Sequence, residues 1–336
     1  RSLQAFCWDT GEKMRCALLE EHAKTPTFST FQEPRGDSDE HQVVQVTAAA
    51  ISRVDISLAS GKHYLGAPPL PSVPGREGVG ALGQRRVYFD SCVPPFGAFG
   101  ELVLVKHEGL LDVLEGVDDA VAAALGNSGL AALLPLEWSA RLQANETVLV
   151  LGATGVVGGL AAQLAKLLGA SRVVASGRDE ATLQSLVDAG HADSFVVVGT
   201  DESPEVLGKR LAEGGKFNVI VDYVGGAIAA ASLHAASVGA RYVNIGHLAG
   251  PSTAISLPML RRQLLSVLGF ANHHVPLALR QDAYRRLQQY FLSGELKVSV
   301  ERVPLSQVQR AWEEAAKGGA RRKLVLVMRE EVQGTA

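Results

Sequence analysis

The sequence predicts an α/β protein of two domains, a β-rich, largely antiparallel one and a doubly wound parallel sheet of six strands. Three observations carry this. Up to about Leu134, short β-branched runs are separated by Gly and Pro. From Thr147 onward, apolar runs alternate with helical stretches, and after Gly269 that alternation stops. With 336 residues, 47% of them hydrophobic, the chain has material for two cores.

Arg1 to Lys13 has no apolar period and reads as a leader or an N-terminal arm, after which Met14 to Leu19 forms the first strand. Val43 to Ala50, Val87 to Phe89 and Glu101 to Val105 suit further strands of the first domain. The parallel strands are Thr147 to Leu151, Arg172 to Ser176, Ser194 to Val198, Phe217 to Val221, Arg241 to Ile245 and Leu264 to Gly269. Their nearly continuous apolar character is that of strands covered on both faces. Gly169 closes the helix that starts near Val156, while Pro204 and Pro276 stand where a first helical turn tolerates a missing N–H. Ala278 to Leu292 is a helix, Ser306 caps another ending at Gly318-Gly319, and Lys323 to Met328 is a last strand. This tail returns to the first domain, giving domains at 14–134 with 271–336 and at 135–270, packed through a shared cleft.

Composition narrows the function classes. With 32 Lys+Arg against 35 Asp+Glu the formal charge is −3, too weak a field to gather nucleic acid or an acidic membrane. Arg321-Arg322-Lys323 is too short a basic run to change that. The three cysteines, Cys7, Cys16 and Cys92, show no paired spacing, which fits a reducing cytoplasm. His273-His274 lacks a third partner at ligand spacing, so the reading includes no metal.

The turn Gly152-Ala-Thr-Gly-Val-Val-Gly158 follows an apolar strand and opens a helix, the setting of a dinucleotide-binding turn in a Rossmann domain. Ala153, Gly155 and Gly158 take the three fingerprint positions, with Thr154, Val156 and Val157 between them. Gly155 lets the backbone approach a pyrophosphate and Gly158 lets helix and strand pack closely; the helix N-terminus then meets the phosphates. At the end of the second strand, a carboxylate would hold the ribose of NAD and repel the extra phosphate of NADP. This chain has Ser176-Gly177-Arg178 there, and the planar fork of an arginine pairs with a phosphate, so the pattern points to NADP(H). Asp179, one residue on, is the rival that a small shift of the loop would bring to the ribose.

With these features the chain resembles the medium-chain dehydrogenase/reductase superfamily, in its zinc-less quinone oxidoreductase-like, or enoyl reductase-like, branch. The resemblance runs from Met14 to Met328 through Pro74-Gly-Arg-Glu-Gly-Val-Gly80, Gly97-Ala-Phe-Gly-Glu101, the glycine turn, Asp222-Tyr-Val-Gly-Gly226 and Val243-Asn-Ile-Gly246. It implies a GroES-like β-rich catalytic domain beside the Rossmann domain, and a homodimer joined at the edge strand Leu264 to Gly269. Relatives with catalytic zinc carry Cys-x-x-Asp and Gly-His-Glu, where this chain has Ser52-Arg-Val-Asp55 and Gly75-Arg-Glu77. The Gly80 to Val87 connection is shorter than is usual in the family, as for a trimmed hairpin.

The resemblance also implies site residues. Tyr64 is similar to the cleft tyrosine of enoyl and quinone reductases, either as proton donor or as a rim aromatic, with His63 as a rival donor. Asn127 would meet the cofactor ribose; Val224, Ile245, Gly246 and His247 would line the nicotinamide; Phe270 and Ala271 would hold its carboxamide. Lys323 would reach the phosphates, or is a surface lysine. The expected activity is zinc-independent reduction of a small-molecule quinone or enone by NADPH. The alternatives are an NADPH-binding protein without catalysis, as sensor or partner subunit, and a metal-free alcohol dehydrogenase.

Overall fold

The computed structural model describes residues 11–36, 40–64, 66–199, 202–318 and 322–329. Most of the leader, Cys7, Gly319 and Arg321 lie outside the described residues. The chain divides into two compact units, one reaching Asn127 and including Tyr284–Leu292 and the chain from Val298, the other Ser128–Ala283 with Ser293–Lys297.

In the first unit β1 (Lys13–Leu18) and β2 (Thr27–Gln32) form an antiparallel pair. A second, mixed sheet is built on β3 (His41–Ala50), which is followed by α1 (Arg53–Ala59). One edge of β3 pairs with β4 (Gly78–Leu82), and the other is shared between β6 (Leu102–Lys106) and the last strand. The strand β5 (Arg85–Phe89) joins β4 to β7 (Leu111–Asp112). The short β4–β5 connection expected from the sequence is a two-residue hairpin in which Gly83 takes φ +61°, the first position of a primed turn. The core of this unit gathers Phe89, Phe96, Phe99, Val103 and Trp312. The helix α2 (Asp119–Leu125) is capped by Asp118, whose carboxylate accepts from the N–H groups of Ala120 and Val121.

The helix α3 (Asn127–Leu134) leads to the second unit, whose six strands are all parallel. In chain order they are β8 (Thr147–Leu151), β9 (Arg172–Gly177), β10 (Ser194–Val197), β11 (Phe217–Asp222), β12 (Ala236–Asn244) and β13 (Ser266–Gly269). The helices α4 (Val156–Leu167), α5 (Glu180–Asp188), α6 (Pro204–Glu213), α7 (Gly226–Ser232) and α8 (Leu257–Arg262) connect them. The spatial order β10-β9-β8-β11-β12-β13 reverses direction at β8, where β11 returns on the side opposite β9. A parallel sheet with that order binds ligands outside the carboxyl ends of its strands beside the reversal. Gly169 ends α4 with φ +87°, and Pro204 opens α6, as the sequence predicts.

The tail comprises α9 (Leu277–Leu292), β14 (Val300–Pro304), α10 (Val308–Lys317) and β15 (Lys323–Val327). The strand β15 pairs with β3 and, in parallel, with β14, which the sequence reading missed. Ser306 is not the cap of α10. Leu305–Gln307 forms a turn of 3₁₀ helix, and Gln307 occupies the cap position. Among the described residues no single helix is long and apolar enough to cross a membrane. Cys16 is buried and Cys92 half-buried, both as free thiols.

Candidate nucleotide site and buried acid cluster

The glycine turn leaves β8 at the reversal point. Gly152 takes φ +86°, and its N–H and that of Ala153 both donate to the Ser176 carbonyl at 2.9 Å, tying the turn to β9. At Gly158 a Cβ would lie 2.3 Å from the Gly152 carbonyl oxygen and 2.8 Å from Ala153 Cα, so only glycine lets α4 approach the strand. Gly155 differs. A Cβ there would meet nothing closer than 3.5 Å, so the protein's own packing does not require a glycine, whereas a phosphate approaching the backbone does. Gly155 caps α4 without a side-chain hydrogen bond, which leaves the first N–H groups of the helix, at Val156, Val157 and Gly158, for an outside acceptor.

At the end of β9, Ser176 is 1% exposed and its Oγ has no hydrogen-bond partner among the described residues. A buried hydroxyl left unpaired costs about 1–3 kcal/mol, which a ligand oxygen would recover. Gly177 lies against Thr154, where a Cβ would come within 2.5 Å of Thr154 Cγ2. Arg178 is exposed. Asp179, the rival ribose ligand, is the N-cap of α5, and its Oδ1 accepts from the Thr182 N–H at 2.7 Å.

The other predicted residues of this unit follow strands on the far side of β8. Val224 donates its N–H to Asp222 Oδ1 at 2.8 Å, and Ile245 and Gly246 donate to the Asp222 carbonyl at 2.8 and 3.2 Å. Gly246 passes so close to Tyr223 that a Cβ would meet its carbonyl oxygen at 2.3 Å. His247 is exposed, and its carbonyl accepts from the Gly250 N–H at 3.1 Å. Phe270 donates its N–H to the Asn244 carbonyl at 3.0 Å and meets the Trp138 ring edge-on at 6.4 Å; the Ala271 carbonyl accepts from the His274 N–H. The glycine turn, Ser176 to Arg178, Val224, the Ile245 loop and Phe270 thus share the carboxyl edge of one sheet.

In the first unit, His63 and Tyr64 follow α1 with ring centroids 4.3 Å apart, Tyr64 being 72% exposed. Asn127 opens α3, and its N–H donates to Glu77 Oε2 at 2.7 Å. Glu77 belongs to a buried cluster that the sequence reading missed. Glu77 and Asp55 are each 2% exposed, and Tyr88 donates its hydroxyl to Glu77 Oε2 at 2.9 Å. Asp55 accepts from the Ser52 N–H at 2.7 Å, from the Ser52 hydroxyl at 2.5 Å and from the Arg76 N–H at 2.9 Å. Lys323 was expected to reach phosphates or solvent. It is buried instead, with Nζ 3.9 Å from Glu77 Oε1, so its charge is matched inside its own unit. Burial pushes the Glu77 carboxyl up to about 7 against the pull of Lys323 and the Asn127 N–H, and burial raises Asp55 as well. A carboxylate just before the Gly-rich strand β4 was the available signal in the sequence.

A parallel sheet with a glycine turn at its reversal point, an exposed arginine after the second strand and a separate β-rich unit defines a nucleotide-dependent oxidoreductase of the two-domain kind. Comparison with known proteins agrees. Residues 156–289 match the family described as zinc-binding dehydrogenase. The chain is 30% identical over 236 residues to the quinone oxidoreductase of Pseudomonas aeruginosa, covering 66% of this chain and 69% of that one. It is 29% identical over 237 residues to the acrylyl-CoA reductase of Ruegeria pomeroyi, covering 69% of each. The quinone oxidoreductase of Thermus thermophilus, solved also with NADPH, superposes with a TM-score of 0.76 at 28% identity over 94% of this chain and all of that one. The chain belongs to the medium-chain dehydrogenase/reductase superfamily, in its quinone oxidoreductase-like branch. Among the described residues no group of three or more His, Cys, Asp or Glu side chains could hold a metal ion, and Asp55 already spends its oxygens on Ser52 and Arg76.

Proposed function

We propose that this protein is an NADPH-dependent oxidoreductase that reduces a quinone or the C=C bond of an α,β-unsaturated carbonyl without a metal. The observation that carries the cofactor reading is the contrast at the end of β9. Arg178 is exposed, while the neighbouring carboxylate of Asp179 is engaged as a helix cap. A 2′-phosphate would meet the guanidinium of Arg178 and the Ser176 hydroxyl, and the pyrophosphate would meet the N–H groups that open α4. When bound, the nicotinamide supplies hydride to the electron-poor carbon of the acceptor. The protein's part is to orient the two reactants and to deliver a proton to the developing enolate or quinol oxygen. Tyr64 is the proposed donor, with His63 stacked beside it as the other candidate.

Titration with NADPH and NADH tests the reading. Charge-assisted hydrogen bonds of this kind contribute about 1.5–3 kcal/mol, so Arg178→Ala should weaken NADPH roughly ten- to hundredfold and leave NADH unchanged. Equal affinity for both cofactors in the unaltered protein would refute it, and turnover with a panel of enones and quinones would choose the acceptor. The proposed assembly is a homodimer through the edge strand β13, where Val267 is 44% and the adjoining Leu264 69% exposed. A monomeric mass by light scattering would refute that.

A further inference from the structure

Asp222 ends β11 fully buried, and a buried carboxylate is stable only when its oxygens are hydrogen-bonded. Here they are. Oδ1 accepts from the N–H groups of Val224 at 2.8 Å and Gly225 at 2.9 Å. Oδ2 accepts from the Tyr242 hydroxyl and, at 3.1 Å, from the Asn244 amide, which also donates to the Gly246 carbonyl at 2.8 Å. The Asp222 main-chain carbonyl takes the N–H groups of Ile245 and Gly246. One residue therefore ties the loop after β11 to the loop after β12.

Those loops are also locked backbone to backbone. Gly225 and Gly226 both take φ +68°; a Cβ on the first would lie 2.8 Å from the Gly250 carbonyl oxygen, and one on the second 2.6 Å from that of Ala249. The arrangement is held by the protein's own hydrogen bonds and close main-chain packing. Strand order tells which part of a dinucleotide it faces. Arg178 follows β9 on one side of β8, and the phosphate turn follows β8 itself. A dinucleotide whose adenosine end lies at β9 and whose pyrophosphate lies at β8 extends its remaining half over β11 and β12.

We propose that Asp222 is a positioning residue for the nicotinamide half of the cofactor, fixing the loops 223–226 and 244–250 against each other while leaving the adenosine end to Arg178 and the glycine turn. The proposal rests on the NADPH reading above. In Asp222→Asn the amide oxygen can still accept from Val224 and Gly225, but the amide nitrogen then faces the Asn244 amide, donor against donor. Asn244→Ala removes the side-chain bridge from the Asp222 carboxylate to the Gly246 carbonyl and leaves the carboxylate and the main-chain bonds of Asp222 to Ile245 and Gly246 in place.

The test is a calorimetric titration of the unaltered protein and both variants with NADPH and with adenosine 2′,5′-bisphosphate, which has no nicotinamide. The bisphosphate should bind all three proteins within about twofold, whereas the margin by which NADPH binds more tightly should shrink at least tenfold in Asp222→Asn and by less in Asn244→Ala. If both ligands weaken equally, as general loosening of the sheet would cause, or if the margin is unchanged, the proposal is overturned. If the bisphosphate fails to bind the unaltered protein, the NADPH reading itself fails and the proposal falls with it. Should Asp222→Asn not fold, Asn244→Ala carries the same comparison.

Discussion

Replacing Glu77 by Gln should make stability less dependent on pH, with a magnitude that follows from the burial of the carboxyl. In the folded protein the group titrates near 7, against 4.5 for an ordinary glutamate, because burial disfavours the charged form more than Lys323, Asn127 and Tyr88 favour it. The folded value lies above the unfolded one. The contribution of the group to stability is therefore complete below pH 4.5 and is lost as pH rises through about 7. At about 1.4 kcal/mol per pH unit, the loss comes to about 3 kcal/mol. Glutamine does not titrate, so the variant should gain on the unaltered protein by about 3 kcal/mol between pH 4.5 and pH 8. Asp55, raised in the same direction, is present in both proteins and largely cancels. Urea unfolding followed by circular dichroism at the two pH values measures the change in the difference. A difference that stays constant, or that turns against the variant as pH rises, would refute the argument.

Three further outcomes are expected. Gly158→Ala should destabilise the second unit by about 1–3 kcal/mol, because the added methyl meets main-chain atoms that cannot turn aside, and should weaken NADPH; thermal melts and titration read both effects. Asp179→Ala should cost about 1 kcal/mol of stability through the lost cap on α5 and leave the ratio of NADPH to NADH affinity unchanged; a change in that ratio would return the ribose contact to Asp179. Tyr64→Phe should lower kcat about a hundredfold with little effect on NADPH binding, whereas a comparable loss in His63→Ala alone would assign the proton to the histidine.

The parallel sheet was legible because its strands are buried on both faces: Thr147 to Leu151 matches β8 residue for residue. Elsewhere the code was weaker. The strand β12 starts at Ala236, five residues before the Arg241 read from the sequence, because Gly239 at φ +76° and the 69% exposed Val238 break its apolar run. The strand β4 was missed since its glycines are dictated by neighbours remote in sequence; a Cβ on Gly80 would lie 2.3 Å from the Gln45 carbonyl oxygen. The strand β14, Val300–Pro304, carries Glu301 and Arg302 and looks like a loop. Residues of the nucleotide turn announced themselves through spacing. Asp222 and Glu77 stood within runs that carry the family resemblance, yet no role was read for either, because an acid beside an apolar run has the same sequence signature whether it faces solvent or organises its surroundings.

The crowding of Gly177 against Thr154 bears on how this lineage could change its coenzyme. A carboxylate suited to the two ribose hydroxyls of NADH is easiest to supply at the end of β9, yet any side chain at position 177 must first displace Thr154, whose Cγ2 would be 2.5 Å from the new Cβ. If Arg178 binds the 2′-phosphate as proposed, its loss alone would weaken one coenzyme without gaining the other, and an acid at 177 alone would press on Thr154 in the glycine turn. On the proposed reading, a change of coenzyme would involve positions 154, 177 and 178 together, since a side chain at 177 meets Thr154 and position 178 carries the arginine.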